Sequence, residues 1–564
     1  MKVFYLLTFL FVITNETCRS CVEYIFAEAS IYLASPEILS KAFITTIVLF
    51  AWALIVIANT HSSIFKKMAL CIASSGSLAA ATDMHPIVTK YCTTVSENPF
   101  ATLLVSIIVT KLTFDLFGTT VPTLKVPLKE LEASTGYEMF GKADSNMNIV
   151  DPTKPGFIQC FDPATAQRLG QVKIITPNEV KLKVEKARIA QKKWSTSSFE
   201  QRRHVLRIMM KFILEHQEDI VRLCVRDSGK TELGASFGEV LPSCEKIQWM
   251  IDNGEKVLLP ENRAAARLMM YKSAWIEYVP LGVLGIISPF NYPFHNFINH
   301  IISGLFSGNS VCVKVSEHTS WSAEYFGRFV TAALIEARDS GVVPMASPDL
   351  VQVITGFGAS GAALVSGGVD KIIFTGSTQV GRLVMEGAAK SNLTPCVLEL
   401  GGKDPFIVLQ DADVNSVFKL LMRGVFQNCG QNCIGVERVY VHESIFDDFV
   451  EKAVNKVKEL RQGLPLSGAT CDLGATTMPG QLAIIERLVN DAVENGATVM
   501  VGGKRNADLK PGLFYEPTIL INVTHEMKIA KEEVFGPVMV IMKFSTEVSL
   551  FYEIVVGQNE FLFQ

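Results

Sequence analysis

The sequence predicts an α/β fold, with an open doubly wound sheet followed by a second, smaller α/β unit. Three observations predict it. Between residues 283 and 389, short β-branched runs alternate with segments of helical period. The same alternation resumes after Gly402, and the uncharged apolar stretches are concentrated before residue 140. Continuous β-branched runs joined by helical crossovers are what parallel strands buried on both faces require.

Taken in order, the first 140 residues form a hydrophobic N-terminal region. Residues 1–14, MKVFYLLTFLFVIT, have signal-peptide length but no clean small-x-small cleavage site. Ala42–Asn59 is an uncharged run of 18 residues, close to the ~20 needed to cross a bilayer core. Residues 100–118 contain Lys111 and Asp115 and read as a weaker, interfacial candidate. Lys66, Lys67 and Lys90 follow the strongest run, which places that side in the cytosol by the positive-inside rule. The expectation is a membrane-attached protein, on the endoplasmic reticulum or another endomembrane, with a cytosolic soluble part. The number of spans stays open.

From about Gly141 the texture becomes that of a globular protein. Lys173–Trp194 and Glu200–Leu214 show helical spacing. Val283–Ser288, Ser310–Val315, Val351–Thr355 and Lys371–Gly376 read as strands, with helices at Phe294–Phe306, Ser322–Glu336 and Gln379–Ala389. Residues 141–400 are thus one α/β domain and 401–547 a second. In the second, Arg438–His442 and Thr498–Val501 read as strands, and Gln481–Val493 as a helix. Residues 548–564 are a divergent tail.

Composition narrows the function classes. Across 564 residues, 52 Lys+Arg stand against 56 Asp+Glu, so the surface lacks the basic excess that binding nucleic acid requires. Hydrophobic residues reach 49%, too apolar for a disordered chain. The 12 cysteines show no paired CxxC grid, so no metal is expected and reduced thiols are the default.

Four local features carry chemistry. Ser288-Pro289-Phe290-Asn291-Tyr292-Pro293 holds an amide between prolines at a strand's carboxyl end, where ligands bind. Lys314-Val315-Ser316-Glu317 closes the next strand at the same edge. Gly376-Ser377-Thr378-Gln379-Val380-Gly381 is a strand-to-helix turn where a phosphate could meet a helix start. Asn428-Cys429-Gly430-Gln431-Asn432-Cys433 sets a thiol in an amide-rich turn. Singly, each has a plainer reading as a turn, a buried thiol or a strand end.

In order, FNYP, KVSEH, FTGSTQVG, LELGGKDP, NCGQNC and EEVFGP resemble the aldehyde dehydrogenase superfamily from roughly Gly156 to Glu547, with Cys433 lying 34 residues after Glu399. The hydrophobic start and the VSEH and GGKDPF wording are most similar to its membrane-anchored plant and fungal branch. The resemblance implies Cys433 as the nucleophile, Asn291 as an oxyanion donor and Glu399 as the general base for hydrolysis. It implies that Ser288, Lys314, Glu317, Gly376, Ser377, Gly381, Glu533 and Phe535 bind the cofactor. Glu317 at the ribose would favour NAD over NADP. Partners implied are an aldehyde, long-chain or lipid-derived if location guides it, and the membrane, with no nucleic acid. Family members are usually homo-oligomers, but the stretch expected to complete the interface is not visible after EEVFGPV. The sequence expectation is therefore a missing C-terminal portion, with a truncated product or an inactive NAD-binding or scaffold protein as the alternative to a working oxidoreductase.

Overall fold

The computed structural model describes residues 121–137 and 143–551. The apolar runs 1–14, 42–59 and 100–118 lie outside the described residues. Among the described residues no helix is long and apolar enough to cross a membrane.

Two five-stranded sheets organise the chain from Val121 onward. The strands are β1 Phe157–Phe161, β2 Arg168–Lys173, β3 Glu261–Arg263, β4 Ala274–Ile276, β5 Val283–Ile287, β6 Ser310–Lys314 and β7 Val351–Ile354. They continue with β8 Lys371–Thr375, β9 Cys396–Glu399, β10 Pro405–Val408, β11 Arg438–His442, β12 Thr498–Val501, β13 Thr518–Ile521 and β14 Val538–Phe544. The first large sheet is wholly parallel in the order β7-β6-β5-β8-β9. Its strand order reverses direction at β5 and β8, and the crevice outside their carboxyl ends is the topological switch point where doubly wound folds bind ligands. The second sheet runs β10-β11-β14-β13-β12, parallel except for β12 against β13.

The first sheet's core fits its sequence. β6 is buried at every residue, and β5 at all but Ile287. Helix α1 (Pro177–Trp194) opens on a Thr176–Glu179 capping box and packs Val180, Val184 and Ala187 beneath the sheet. The expected helix at Lys173 starts later because Arg168–Lys173 is strand β2, hairpinned with β1. Helix α2 (Pro293–Phe306) buries Phe294, Phe297, Ile298, Ile301, Ile302 and Leu305, so the segment after Asn291 is anchored by an apolar stripe. Helix α3 (Thr378–Ser391) follows β8 and is capped by Ser377.

The sequence reading differs from the structure at the front of the globular part. Residues 121–137, assigned above to the hydrophobic N-terminal region, belong with the folded unit that begins at Val121. Leu124 and Val126 enter its core, Lys211 Nζ donates to Val121 O at 2.7 Å, and Arg328 pairs with buried Glu132. Two prolines and only one short helical turn, at Glu130–Ala133, leave this segment no periodicity to read.

Candidate active site

The FNYP loop leaves β5 at the switch point, and its backbone is held from below. Ser288 Oγ donates to Asn296 O at 3.1 Å, tying the strand end to the first turn of α2. Asn291 O accepts from Lys230 Nζ at 2.7 Å and from Asn428 Nδ2 at 2.9 Å. Lys230 is fully buried, pairs with equally buried Glu239 at 2.5 Å, and lies 4.2 Å from the centre of the Tyr292 ring. The other Glu239 oxygen accepts from Phe294 N–H at 3.0 Å and His295 N–H at 2.8 Å. A carboxylate there satisfies orphan donors at the positive end of α2.

The thiol loop follows the helix Val414–Phe426. Asn428, Cys429 and Gly430 are consecutive left-handed residues, with φ of 54°, 58° and 72°. Glycine is required at the third: a Cβ on Gly430 would stand 2.0 Å from Gly536 O. That approach brings the NCGQNC and EEVFGP loops together. Gln431 locks the turn, its Nε2 donating to Asn428 O at 3.1 Å and its Oε1 accepting from Thr477 N–H at 3.0 Å. Gln431 O in turn accepts from Asn291 Nδ2 at 3.2 Å, so the two loops share one hydrogen-bond network. Cys429 is buried, and burial pushes its thiol up to about 12. Cys433 is half-buried. Burial also raises the Cys433 thiol, and the Glu399 and Glu533 carboxylates add to the rise, while the N–H groups of Cys433 and Ile434 partly offset it.

Glu399 ends β9 opposite Thr375, and its carbonyl accepts from Gly376 N–H at 3.0 Å. A Cβ on Gly401 would meet Glu533 at 2.0 Å, so the LELGG turn lies directly against the EEVFGP loop. Burial lifts the Glu533 carboxyl to about 7, with Glu437 adding to the rise. Glu437 organises this corner. It pairs with buried Lys403 at 2.5 Å and accepts from Val534 N–H at 3.0 Å and Phe535 N–H at 3.1 Å. Phe535 is itself left-handed, at φ 50°, and meets Phe290 edge-on at 5.9 Å.

Along the same sheet edge, Lys314 Nζ binds the Glu317 carboxylate at 2.9 Å. Burial raises the Glu317 carboxyl, but the Lys314 charge outweighs it, so Glu317 ends below its ordinary value and stays ionised. Ser377 caps α3, accepting from Val380 N–H at 3.5 Å. A Cβ on Gly381 would stand 2.7 Å from Leu400, and one on Gly376 would stand 2.7 Å from the Phe374 ring.

The aldehyde dehydrogenase family model matches residues 149–553. The chain belongs to the aldehyde dehydrogenase family. It is 43% identical over 418 residues to an aldehyde dehydrogenase-like protein of Saccharomyces cerevisiae, covering 72% of this chain and 64% of that relative. Aldehyde dehydrogenase 1 of Tanacetum cinerariifolium is 35% identical over 419 residues, covering 73% and 80%. Among solved structures, an aldehyde dehydrogenase of Brucella melitensis biovar abortus superposes with a TM-score of 0.65 at 29% identity, covering 72% of this chain and 80% of that one. The NAD+ complex of an aldehyde dehydrogenase from Bacillus cereus gives 0.65 at 26% identity, covering 76% and 84%. The chain thus spans just under two thirds of the yeast relative's length.

Seen as an aldehyde dehydrogenase fold, the predicted site residues fall into two groups. Asn291 and Cys433 share the braced loops, with Glu399 close enough to perturb the thiol. Ser288, Lys314, Glu317, Gly376, Ser377 and Gly381 line the carboxyl edge of the first sheet, while Glu533 and Phe535 close over it from the second unit. Sequence reasoning missed Lys230, Glu239, Gln431 and Glu437. Glu239 lies within a π-helical turn at Ser236–Val240 and Lys230 lies in the loop before it, and neither sits in a periodic pattern. A Lys beside a glycine in RDSGKTELG is an ordinary surface signature, so its complete burial has no local sign.

Proposed function

We propose that this protein oxidises an aldehyde to a carboxylic acid through Cys433, with NAD as cofactor, while attached to a membrane by its N-terminal region. The observation that carries the reading is the single hydrogen-bond network joining the Asn291 amide to the Cys433 loop. The Cys433 sulfur attacks the aldehyde carbon, forming a C–S bond, and the oxygen takes up negative charge. The Asn291 amide and the Cys433 N–H donate to that oxygen, a role worth about 3–4 kcal/mol per donor. The carboxyl edge of the first sheet fits NAD: an ionised Glu317 can accept both ribose hydroxyls and would repel a 2′-phosphate, and the capped start of α3 offers N–H groups to a pyrophosphate. Bound NAD supplies the hydride acceptor. A thioester then remains on Cys433, and Glu399 takes a proton from the water that attacks it. The C–S bond breaks, the acid leaves, and the thiol is restored.

The uncharged run Ala42–Asn59 supports the membrane attachment, and attachment makes long-chain or lipid-derived aldehydes the substrates to try first. The apolar strand β4, with Trp275 and Ile276 exposed, suits self-association. The test is NADH formation by the detergent-solubilised chain on short- and long-chain aldehydes, beside Cys433→Ser. Turnover in the wild type and loss of at least ~10³-fold in the variant is the expected result. Nucleotide binding with no turnover and no labelling of Cys433 would overturn it in favour of an inactive nucleotide-binding protein.

A further inference from the structure

We infer that Asn296 is a positioning residue for the oxyanion donor, fixing which end of the Asn291 amide faces the reacting carbonyl. The inference rests on the reading of Asn291 and Cys433 given above. An asparagine amide has two nearly isosteric orientations, and only its hydrogen-bond partners distinguish them. The backbone of Asn291 is immobilised through its carbonyl by Lys230 and Asn428, which leaves rotation of the terminal amide as the free variable.

Two hydrogen bonds decide that rotation. Gln431 O is a backbone carbonyl and can only accept, so the group 3.2 Å from it must be Asn291 Nδ2. Asn291 Oδ1 then faces Asn296, whose Nδ2 donates to it at 3.1 Å. With one Nδ2 hydrogen on Gln431 O, the second is free for the developing oxyanion. Reversing the amide would present Oδ1, an acceptor, both to the Gln431 carbonyl and to the oxyanion.

Asn296 is well placed for this task because its own backbone is pinned on both sides. Its N–H donates to Tyr292 O at 2.9 Å, and its carbonyl accepts from Ser288 Oγ at 3.1 Å. It stands in the first turn of α2, whose apolar stripe is fully buried. Its side chain is part-buried, and the side-chain hydrogen bond it makes is directed at the donor.

Two substitutions test the inference because they separate shape from polarity. Asn296→Asp keeps the shape but replaces the donor by an acceptor, which favours the reversed amide. Asn296→Leu removes the interaction and leaves the Gln431 carbonyl alone to orient the amide. The expected losses in kcat are about a hundredfold for Asn296→Asp and about tenfold for Asn296→Leu, on the scale of losing an oxyanion donor. KM and NAD affinity should stay within about twofold. Alkylation of Cys433 by iodoacetamide forms a C–S bond and expels iodide without building an oxyanion. Its limiting rate at high pH should therefore be unchanged in both variants. An Asn296→Asp enzyme as active as Asn296→Leu, or more so, overturns the inference while leaving the role of Cys433 intact. So does a parallel fall in the limiting alkylation rate. A wild-type chain without Cys433-dependent turnover overturns the underlying reading, and this inference with it.

Discussion

The Cys433 loop and the strand that carries Glu399 meet at one site, yet they are built in opposite ways. Asn291 and the Cys433 turn rest on Lys230 and Glu239, both 0% exposed, and on amides whose hydrogen bonds close on one another. Strand β9 is the outermost strand of its sheet, with Val397 46% exposed and Glu399 on the exposed side. The sheet that follows begins on another edge strand, β10, where Ile407 is also exposed. Groups that must stabilise a developing charge gain from being held before the reaction, since no reorganisation is then needed. In the reaction proposed above, Glu399 serves as base in a later step, which carries no such requirement.

Breaking the braced region should have the largest effect. Lys230→Met keeps most of the unbranched stem but leaves Glu239 charged and buried without its partner. Removing one member of a buried pair costs about 3–5 kcal/mol. The two N–H donors at the start of α2 still reach Glu239, so the lower end of that range is expected. The melting temperature should fall clearly, and aldehyde turnover should fall with it, because Asn291 O loses its ammonium donor. Lys230→Met combined with Glu239→Gln should recover part of the stability and little of the turnover. Full recovery of both would mean that the pair does not position the loop.

The same contrast explains what could be read from the sequence. β5 and β6 are buried parallel strands and β8 beside them is buried at alternate residues, and the apolar runs of all three are legible to within about a residue. Ser288 falls outside β5, yet its N–H donates to Lys314 O at 3.0 Å, continuing the ladder. Hairpins β1–β2 and β3–β4 escaped notice because their strands are short and show no sustained alternation: β3 and β4 are three residues each, ENR and AWI, and β1 and β2 read FIQCF and RLGQVK. At the site, residue types with chemistry of their own were visible. The supports were not: Lys230, Glu239 and Glu437 owe their roles to burial and to partners remote in sequence. Gln431, although within the thiol turn, acts through Asn428 and Thr477.

An intermediate effect should come from Glu399→Gln, which addresses the exposed strand without disturbing the braced loops. The Glu399 carboxylate is among the groups that raise the Cys433 thiol, second to burial. Removing its charge therefore shifts the thiol's titration to lower pH and enlarges the thiolate fraction at neutral pH. Alkylation of Cys433 at fixed neutral pH should speed up about two- to fivefold. Aldehyde turnover should fall by about 10²–10⁴, the usual contribution of a general base. Opposite signs from one substitution would separate the thiol from the base. If alkylation slowed as well, Glu399 would be assisting the thiol rather than the water, and the two regions would act as one.

The smallest effect tests whether β9 is truly an uncovered edge in the intact protein. Val397→Thr and Val313→Thr exchange a methyl for a hydroxyl of nearly the same volume on two strands of the same sheet. Val313 lies in β6 with 0% exposure, where an added hydroxyl without a partner costs about 1–3 kcal/mol. Val397 is half-exposed, so its hydroxyl can reach water, and the change in stability should stay within about 0.5 kcal/mol. Thermal melting of the full chain, followed by a single probe on the folded unit from Val121 onward, gives the two shifts side by side. A clear drop for Val313→Thr and almost none for Val397→Thr is the expected pair. Equal drops would mean that β9 is covered in the assembled protein, by another copy or by another part of the chain. Glu399 would then be held as firmly as Cys433, and the contrast between a fixed nucleophile and a freer base would fail.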